Sequence, residues 1–262
     1  MRPLKQISSA ANPRYKALRK LAQSSQERRR TGLSVLDGAH LAAAYRERVG
    51  LPKSIAVSRN GLANPEVRAL LESMRGVEIV VLGDQLFGAL SSVATPTGIL
   101  AVVKTPRPRA APQSMDACVM LEDLQDPGNL GSILRSCAAA GVRHVLLSKG
   151  SVHAWSPRAM RAGMGAHFAL SIHEEVDLVA AAREFEGTRV ATQPVAPRTV
   201  FDADLKGRVA FLFGNEGAGL SARLLEAADS VVSIPMPGKA ESLNVAAAAA
   251  VCLFERVRQL RQ

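Results

Sequence analysis

The chain has 262 residues, of which 47% are hydrophobic, 21% charged and 4% aromatic, with a formal net charge of +10. That suits one large or two modest packed domains and excludes a disordered or collagen-like chain. With so few aromatic rings, aliphatic side chains and alanine must build the core.

The longest nearly uncharged stretch, 85–103, holds Pro96, two glycines and several Ser and Thr, a composition unsuited to a membrane span. No apolar run follows Met1-Arg2-Pro3-Leu4-Lys5, so no secretory leader is expected. Cys118, Cys137 and Cys252 are widely spaced and form no Cys-x-x-Cys pair. They read as buried apolar side chains in a reducing, cytoplasmic setting. Membrane, secreted and zinc-ribbon classes are set aside.

The positive charge is concentrated at the front. Residues 1–110 hold 18 Lys and Arg against 7 Asp and Glu, whereas residues 111–262 hold 15 against 16. Such asymmetry points to a polyanion-binding part attached to a part with another task. The plain alternative is a solvated basic helix that only aids solubility. Nucleic acid fits better than an acidic membrane. Phosphates paired with Lys and Arg release counterions whatever the sequence, and no bulky Trp or Phe face accompanies the basic run.

In chain order, Asn12-Pro13 opens a helix with Tyr15, Leu18 and Leu21 on one side. Apolar runs at 34–36, 54–57, 77–82 and 98–103 then alternate with helical patterns at 41–48, 65–74 and 85–90. This reads as a small α/β sandwich. Three prolines within seven residues, Pro106 to Pro112, neither extend a helix nor pair in a central strand. Residues 105–115 are therefore expected to link a front domain, 1–104, to a rear domain, 116–262.

In the rear domain, strands are expected at 117–121, 144–147, 169–172, 189–191, 209–213 and 231–234. Helices are expected at 130–140, 157–164, 176–184, 221–227 and 243–260. Continuous apolar strands alternating with helices imply a mostly parallel sheet covered on both faces. Ligands bind such sheets beyond the carboxyl ends of the strands, so the segments that follow the strands matter most. The run Ala246 to Ala250 suggests a closely packed helix.

After the first rear strand comes Glu122-Asp123-Leu124-Gln125-Asp126-Pro127-Gly128-Asn129-Leu130-Gly131, with Arg135 four residues further on. Asp126-Pro127-Gly128 reads as a turn and Asn129 as a helix N-cap. Arg135 lies among Ile133, Leu134 and Ala138, where an unpaired guanidinium is costly to bury. It has a function there, or a carboxylate holds it in the core or at a subunit contact. Strand 209–213 leads into Gly214-Asn215-Glu216-Gly217-Ala218-Gly219-Leu220-Ser221, whose glycines let backbone approach a ligand closely. The spacing is neither the dinucleotide fingerprint nor a P-loop. The last strand leads into Pro235-Met236-Pro237-Gly238-Lys239-Ala240-Glu241-Ser242-Leu243-Asn244-Val245. Alone, that segment reads as a rigid loop and a helix cap.

Together these segments resemble the three ordered signatures of the SpoU/TrmH family, RNA ribose 2′-O-methyltransferases of the SPOUT superfamily. The matching residues are Asp126-Pro127-Gly128-Asn129-x-Gly131-x3-Arg135, Phe213-Gly214-Asn215-Glu216-Gly217-x-Gly219-Leu220-Ser221 and Ile234-Pro235-Met236-x-Gly238-x2-Glu241-Ser242-Leu243-Asn244-Val245. Ile7-Ser8-Ser9, Asn12-Pro13 and Val35-Leu36-Asp37-Gly38-x-His40-Leu41 also resemble the family's N-terminal substrate-binding domain. Asp37 stands where many relatives have glutamate, and Gly163, in Arg161-Ala162-Gly163-Met164-Gly165-Ala166, where relatives often have serine.

The resemblance implies a trefoil knot in the rear α/β domain and a homodimer with its site near the subunit contact. It implies S-adenosylmethionine held bent by loops around 192–194, 214–219 and 234–243. Backbone groups of Gly214, Ile234 and Leu243 should contact it, with Thr192 and Met236 at the wall. A ribose 2′-hydroxyl would attack the sulfonium methyl, and no metal is needed because the leaving thioether is neutral. Arg135 is expected to clamp the target phosphate, and Asn129, Glu216, Ser242 and Asn244 to orient Arg135 and the ribose. RNA would be gripped by Lys5, Arg14, Lys16, Arg19 and Lys20, with few rings available for stacking. Ribosomal RNA, 23S above all, is favoured over transfer RNA by family analogy. A non-catalytic ribosome assembly factor is the rival from another class.

Overall fold

The computed structural model describes residues 5–93, 95–108 and 115–262. They divide into two units, Met1–Pro106 with Trp155–Phe168, and Arg107–Ala154 with Ala169–Gln262. Of the expected linker, 109–114 lies outside the described residues.

The front unit runs β1 (Lys5–Ile7), α1 (Pro13–Gln23), α2 (Ser25–Thr31), β2 (Leu33–Asp37), α3 (Ala39–Arg48) and β3 (Ser54–Ser58). It continues with α4 (Arg59–Ala63), α5 (Pro65–Ser73), β4 (Glu78–Leu82), α6 (Asp84–Gly88) and β5 (Ile99–Lys104). The sheet order is β1-β4-β3-β5-β2, with β5 antiparallel to both neighbours and the other pairs parallel. α1 begins where Asn12 accepts from the Arg14 amide and Pro13 occupies the first turn. Its Tyr15, Leu18 and Leu21 pack with Ile7, Leu82, Phe87 and Leu100.

Three front elements lie outside the expected set: β1, α2 and the five-residue α4, Arg-Asn-Gly-Leu-Ala, which is too short to show a helical period and starts at the Ser58 cap. β1 has three residues, of which only Ile7 is buried, so it shows no usable alternation. α2, Ser-Gln-Glu-Arg-Arg-Arg-Thr, has no apolar face. It is held by the Ser24 N-cap, a left-handed Gly32 after its end, and buried Arg28, which donates to the Leu21 carbonyl at 2.7 Å.

The rear chain runs β6 (Ala117–Leu121), α7 (Pro127–Ala139), β7 (His144–Ser148), α8 (Pro157–Ala162), β8 (Ser171–Val176) and α9 (Leu178–Glu184). It continues with β9 (Thr188–Thr192), β10 (Arg198–Thr199), β11 (Val209–Phe213), α10 (Ala222–Glu226), β12 (Ser230–Ser233) and α11 (Val245–Gln259). All seven strands of its sheet pair parallel, in the order β10-β12-β9-β11-β6-β7-β8. The expected helix at 176–184 is corrected. β8 runs on to Val176, and the Asp177 carboxylate accepts the Val179 and Ala180 amides, so the helix begins at Leu178. The expected strand at 169–172 begins later because Ala166–Ala169 forms a 3-10 turn. Residues 155–168, expected with the rear domain, group with the front unit, where Phe168 meets the Tyr45 ring edge-on at 5.4 Å.

β6 and β11 are buried along their whole length. One side of the core joins Cys118, Met120, Leu146, Leu212, Leu224 and Phe185, each large apolar side chain contributing roughly 1.5–3 kcal/mol on burial. α11 packs against α7, with Ala249, Cys252 and Leu253 fully buried. Four adjacent strands, β12-β9-β11-β6, end side by side, so the loops after them share one edge of the sheet. No described helix is long and apolar enough to cross a membrane.

Candidate functional site

Leu121 and Phe213 are register partners, and the Glu122 amide donates to the Phe213 carbonyl at 2.9 Å. The loops leaving β6 and β11 therefore start in contact. After β11 the chain closes on itself. Asn215 and Gly219 exchange two backbone hydrogen bonds of 3.0 Å, and Asn215 Oδ1 accepts from the Gly217 and Ala218 amides. A Cβ at Gly214 would lie 2.1 Å from the Gly219 carbonyl carbon, so glycine is obligatory there.

This closed loop is braced from outside by the β6–α7 segment. The Glu122 carboxylate accepts both the amide and the hydroxyl of Ser221, each at 2.7 Å. The Asp123 carbonyl accepts Asn215 Nδ2 at 2.8 Å. Asp123 adopts φ 51°, an unusual conformation for a residue with a side chain.

The N-cap of α7 is Asp126, which accepts the Asn129 amide at 2.8 Å, with Pro127 next. This corrects the expected cap: Asn129 is one turn inside the helix, and its side chain is free for other work. Asn129 Nδ2 donates to Glu216 at 3.1 Å, and the Gln125 and Asp126 amides donate to the same carboxylate at 3.1 and 3.0 Å. Burial pushes the Glu216 carboxyl up. The Asn129 amide and the two backbone donors outweigh it, leaving the group below the ordinary carboxylate range. On the other side, Asn244 Nδ2 donates to Asn129 Oδ1 at 2.9 Å, while Asn244 Oδ1 caps α11 by accepting the Ala246 amide. Asn129, Glu216 and Asn244 thus form one hydrogen-bonded chain joining all three segments.

A cavity of about 430 Å3 opens beside this chain. Thr192, Gly214, Ile234, Met236 and Leu243 all line it, as do Glu216, Ser242 and Asn244. Gln193 and Glu241 line it too. Glu241 belongs to the third matching segment without an expected role, and Gln193 and Glu122 are marked in the sequence only by their place just after a strand. Thr192 Oγ1 lies 3.8 Å from Cys252 Sγ. Burial pushes the Cys252 thiol up to about 11, so it behaves as a packing group. Arg135 stands apart. It lies six residues beyond Asn129, about 9 Å along the helix and about 120° around it, and it is exposed.

Of the expected RNA contacts, Lys5 and Arg14 both pair with Glu78. The Arg14 and Lys5 hydrogen bonds hold the Glu78 carboxyl below its ordinary value. Lys16, Arg19 and Lys20 lie exposed on α1, opposite the face that buries Tyr15, Leu18 and Leu21. Tyr15, Tyr45 and Phe87 are all buried, so none is a stacking platform. At Gly163 a Cβ would lie 2.6 Å from His167 Cε1, so the His167 ring fills the space a serine would need.

Comparison with known proteins bears on these observations. The model of the SpoU rRNA Methylase family matches residues 116–254, and that of the MRM3-like substrate binding domain matches residues 12–101. RlmP of Bacillus subtilis, a 23S rRNA guanosine 2′-O-methyltransferase, is 32% identical over 96% of this chain and 98% of its own. A crystal structure of an RNA 2′-O ribose methyltransferase superposes with a TM-score of 0.84 at 32% identity, over 98% of this chain and 100% of that one. The SpoU methyltransferase AviRb of Streptomyces viridochromogenes, in complex with AdoMet, gives a TM-score of 0.84 at 30% identity, over 95% and 98%. Matched along its length, with the three signature segments joined at one cavity, the chain belongs to the SpoU rRNA Methylase family.

Proposed function

We propose that this protein transfers a methyl group from S-adenosylmethionine to a ribose 2′-hydroxyl of 23S ribosomal RNA. The observation that carries this reading is the Asn129–Glu216–Asn244 chain at the edge of a cavity formed by the strand-end loops. RlmP, similar over nearly the whole chain, supports the substrate class.

The residues present fit the methyl donor. The cavity volume lies within the ~300–1,000 Å3 usual for small-ligand sites. Its wall combines apolar Phe213, Ile234 and Leu243 with polar Thr192, Ser242 and Asn244. Gly214, Ile234 and Leu243 would hold the donor through their backbones, with Thr192 and Met236 beside them. When bound, the donor supplies an electrophilic methyl on a sulfonium.

The chain's own groups supply position. Asn129 and Asn244 each use one amide N–H within the network and keep a second for the ribose. Ser242 offers its hydroxyl from the cavity wall. With three donors on its carboxylate, Glu216 orients Asn129 rather than taking up the proton. Arg135, always charged, would clamp the target phosphate and lower the pKa of the attacking hydroxyl. Lys16, Arg19 and Lys20 would grip RNA phosphates, with Lys5 and Arg14 adding less because Glu78 offsets them.

The reading includes a homodimer that covers exposed apolar groups such as Phe254 on α11, and a cytoplasmic setting in which the buried thiols stay reduced. The test is methyl transfer from radiolabelled S-adenosylmethionine into unmodified ribosomal RNA and, separately, transfer RNA, followed by nucleoside analysis. The expected result is a 2′-O-methylated nucleoside in the ribosomal pool that disappears with Arg135→Ala. Label in transfer RNA alone would overturn the substrate. Binding of RNA without the donor would favour an assembly factor.

A further inference from the structure

The described cavity lining holds two carboxylates, Glu216 and Glu241, and no Lys, Arg or His. In a chain of net charge +10, that is an acidic interior in a basic protein. The two acids differ. Glu216 is saturated by the Gln125 and Asp126 amides and Asn129 Nδ2, so its charge is answered by the start of α7. Glu241 makes no hydrogen bond or ion pair with any described residue. Lys239, two positions away, is not part of the lining and forms no ion pair with it. Glu241 is the cavity's uncompensated charge.

We infer that Glu241 makes the cavity select the cationic methyl donor over the neutral thioether product and over anionic nucleotides. This rests on the methyl-donor reading above. The donor carries a positive sulfonium; once the methyl has left, the sulfur is neutral. The donor's ammonium and carboxylate persist in S-adenosylhomocysteine, so their contributions cancel when the two ligands are compared. Attraction between the Glu241 carboxylate and the sulfonium therefore favours loading and fades with turnover, which speeds product release. A nucleotide phosphate would face two carboxylates and no lining cation. That is the reverse of a phosphate-binding loop.

Isothermal titration of the full chain with S-adenosylmethionine and S-adenosylhomocysteine tests this without any activity assay. Glu241→Gln should weaken binding of the donor about tenfold and leave that of the product within about twofold. Glu241→Lys should widen the loss for the donor. High salt should narrow the preference of the unaltered protein, because Glu241 is exposed. Equal weakening of both ligands, or no change in either, would overturn the inference while leaving the methyl-donor reading intact. An unaltered protein that binds neither ligand would overturn both.

Discussion

Asn244 donates its side-chain amide to Asn129 Oδ1 at 2.9 Å, joining the starts of two helices 115 positions apart in sequence. Because Asn129 Nδ2 is simultaneously held by Glu216, the Asn129 amide is fixed at both its oxygen and its nitrogen. Its orientation is unambiguous: reversing it would set two N–H donors face to face and bring a carbonyl against a carboxylate. The network therefore prepares geometry before any substrate arrives, as catalysis by positioning requires.

Asn129→Asp keeps an acceptor for Asn244 but removes the donor to Glu216 and brings two carboxylates within hydrogen-bond distance. The expected outcome is a fall of about 100-fold in turnover at saturating donor, with Asn129→Ala less damaged than Asn129→Asp. Combining Asn129→Ala with Asn244→Ala should cost less than the sum of the two, by about 0.5 kcal/mol or more in activation free energy. Strict additivity would show that the two amides act independently.

The loop after β11 makes a second contrast. Gly214→Ala forces a Cβ against Gly219 backbone at 2.1 Å, whereas at Gly217 the nearest atom is Asn215 Oδ1 at 3.6 Å. Gly214→Ala should abolish donor binding, and Gly217→Ala should leave it within about threefold, under about 1 kcal/mol. Calorimetric titration of both variants with S-adenosylmethionine checks this. Comparable loss in the two would show that chain flexibility, not close approach, explains the glycines.

Legibility followed the physics of each segment. β6 and β11 appear at their expected limits because both are continuous apolar runs bounded by Glu122 or Gly214. α2 and β1 are invisible because neither has an apolar period; α2 depends on Arg28 reaching the carbonyl of Leu21, seven positions back. The site was legible as three separate segments, each explicable as a turn or a cap. The Asn244 cap proved real, and the same side chain bonds Asn129 as well. The Asn129 cap did not, because Asp126 takes that place and sequence alone does not choose between two good cap residues three positions apart. The bracing of the β11 loop by Glu122 was out of reach, since it depends on the alignment of β6 with β11.

For RNA binding, the Glu78 pairs separate the five front cations into two groups. Removing Lys16, Arg19 and Lys20 together should reduce the salt dependence of RNA affinity by about 0.9 for each phosphate left without its cation, up to about 2.7 in slope. Lys5→Ala with Arg14→Ala should change the slope by less than the value of one phosphate, about 0.9. Filter binding across a salt series measures both. Equal slopes for the two variants would show that Glu78 does not offset its partners in the complex.

His144 and His173 predict a pH dependence of the fold itself. Their rings stack at 6.2 Å between centroids on neighbouring strands β7 and β8, with His144 Nδ1 and His173 Nε2 buried and unpaired among the described residues. Burial lowers both pKa values, helped by Arg143 at His144 and by His144 at His173. A histidine whose folded pKa lies below its unfolded value of about 6.5 takes up its proton in the unfolded chain first. Unfolding is then favoured as pH falls. Their contribution should be fully present above about pH 6.5, decline as pH drops toward the folded values, and level off below them. His173→Phe keeps the stack, removes one titration and removes a buried unpaired nitrogen. It should flatten the decline and leave stability at pH 8 equal or higher. Urea unfolding of both proteins between pH 8 and pH 5 provides the measurement. An unchanged slope in His173→Phe would place the proton uptake elsewhere in the fold.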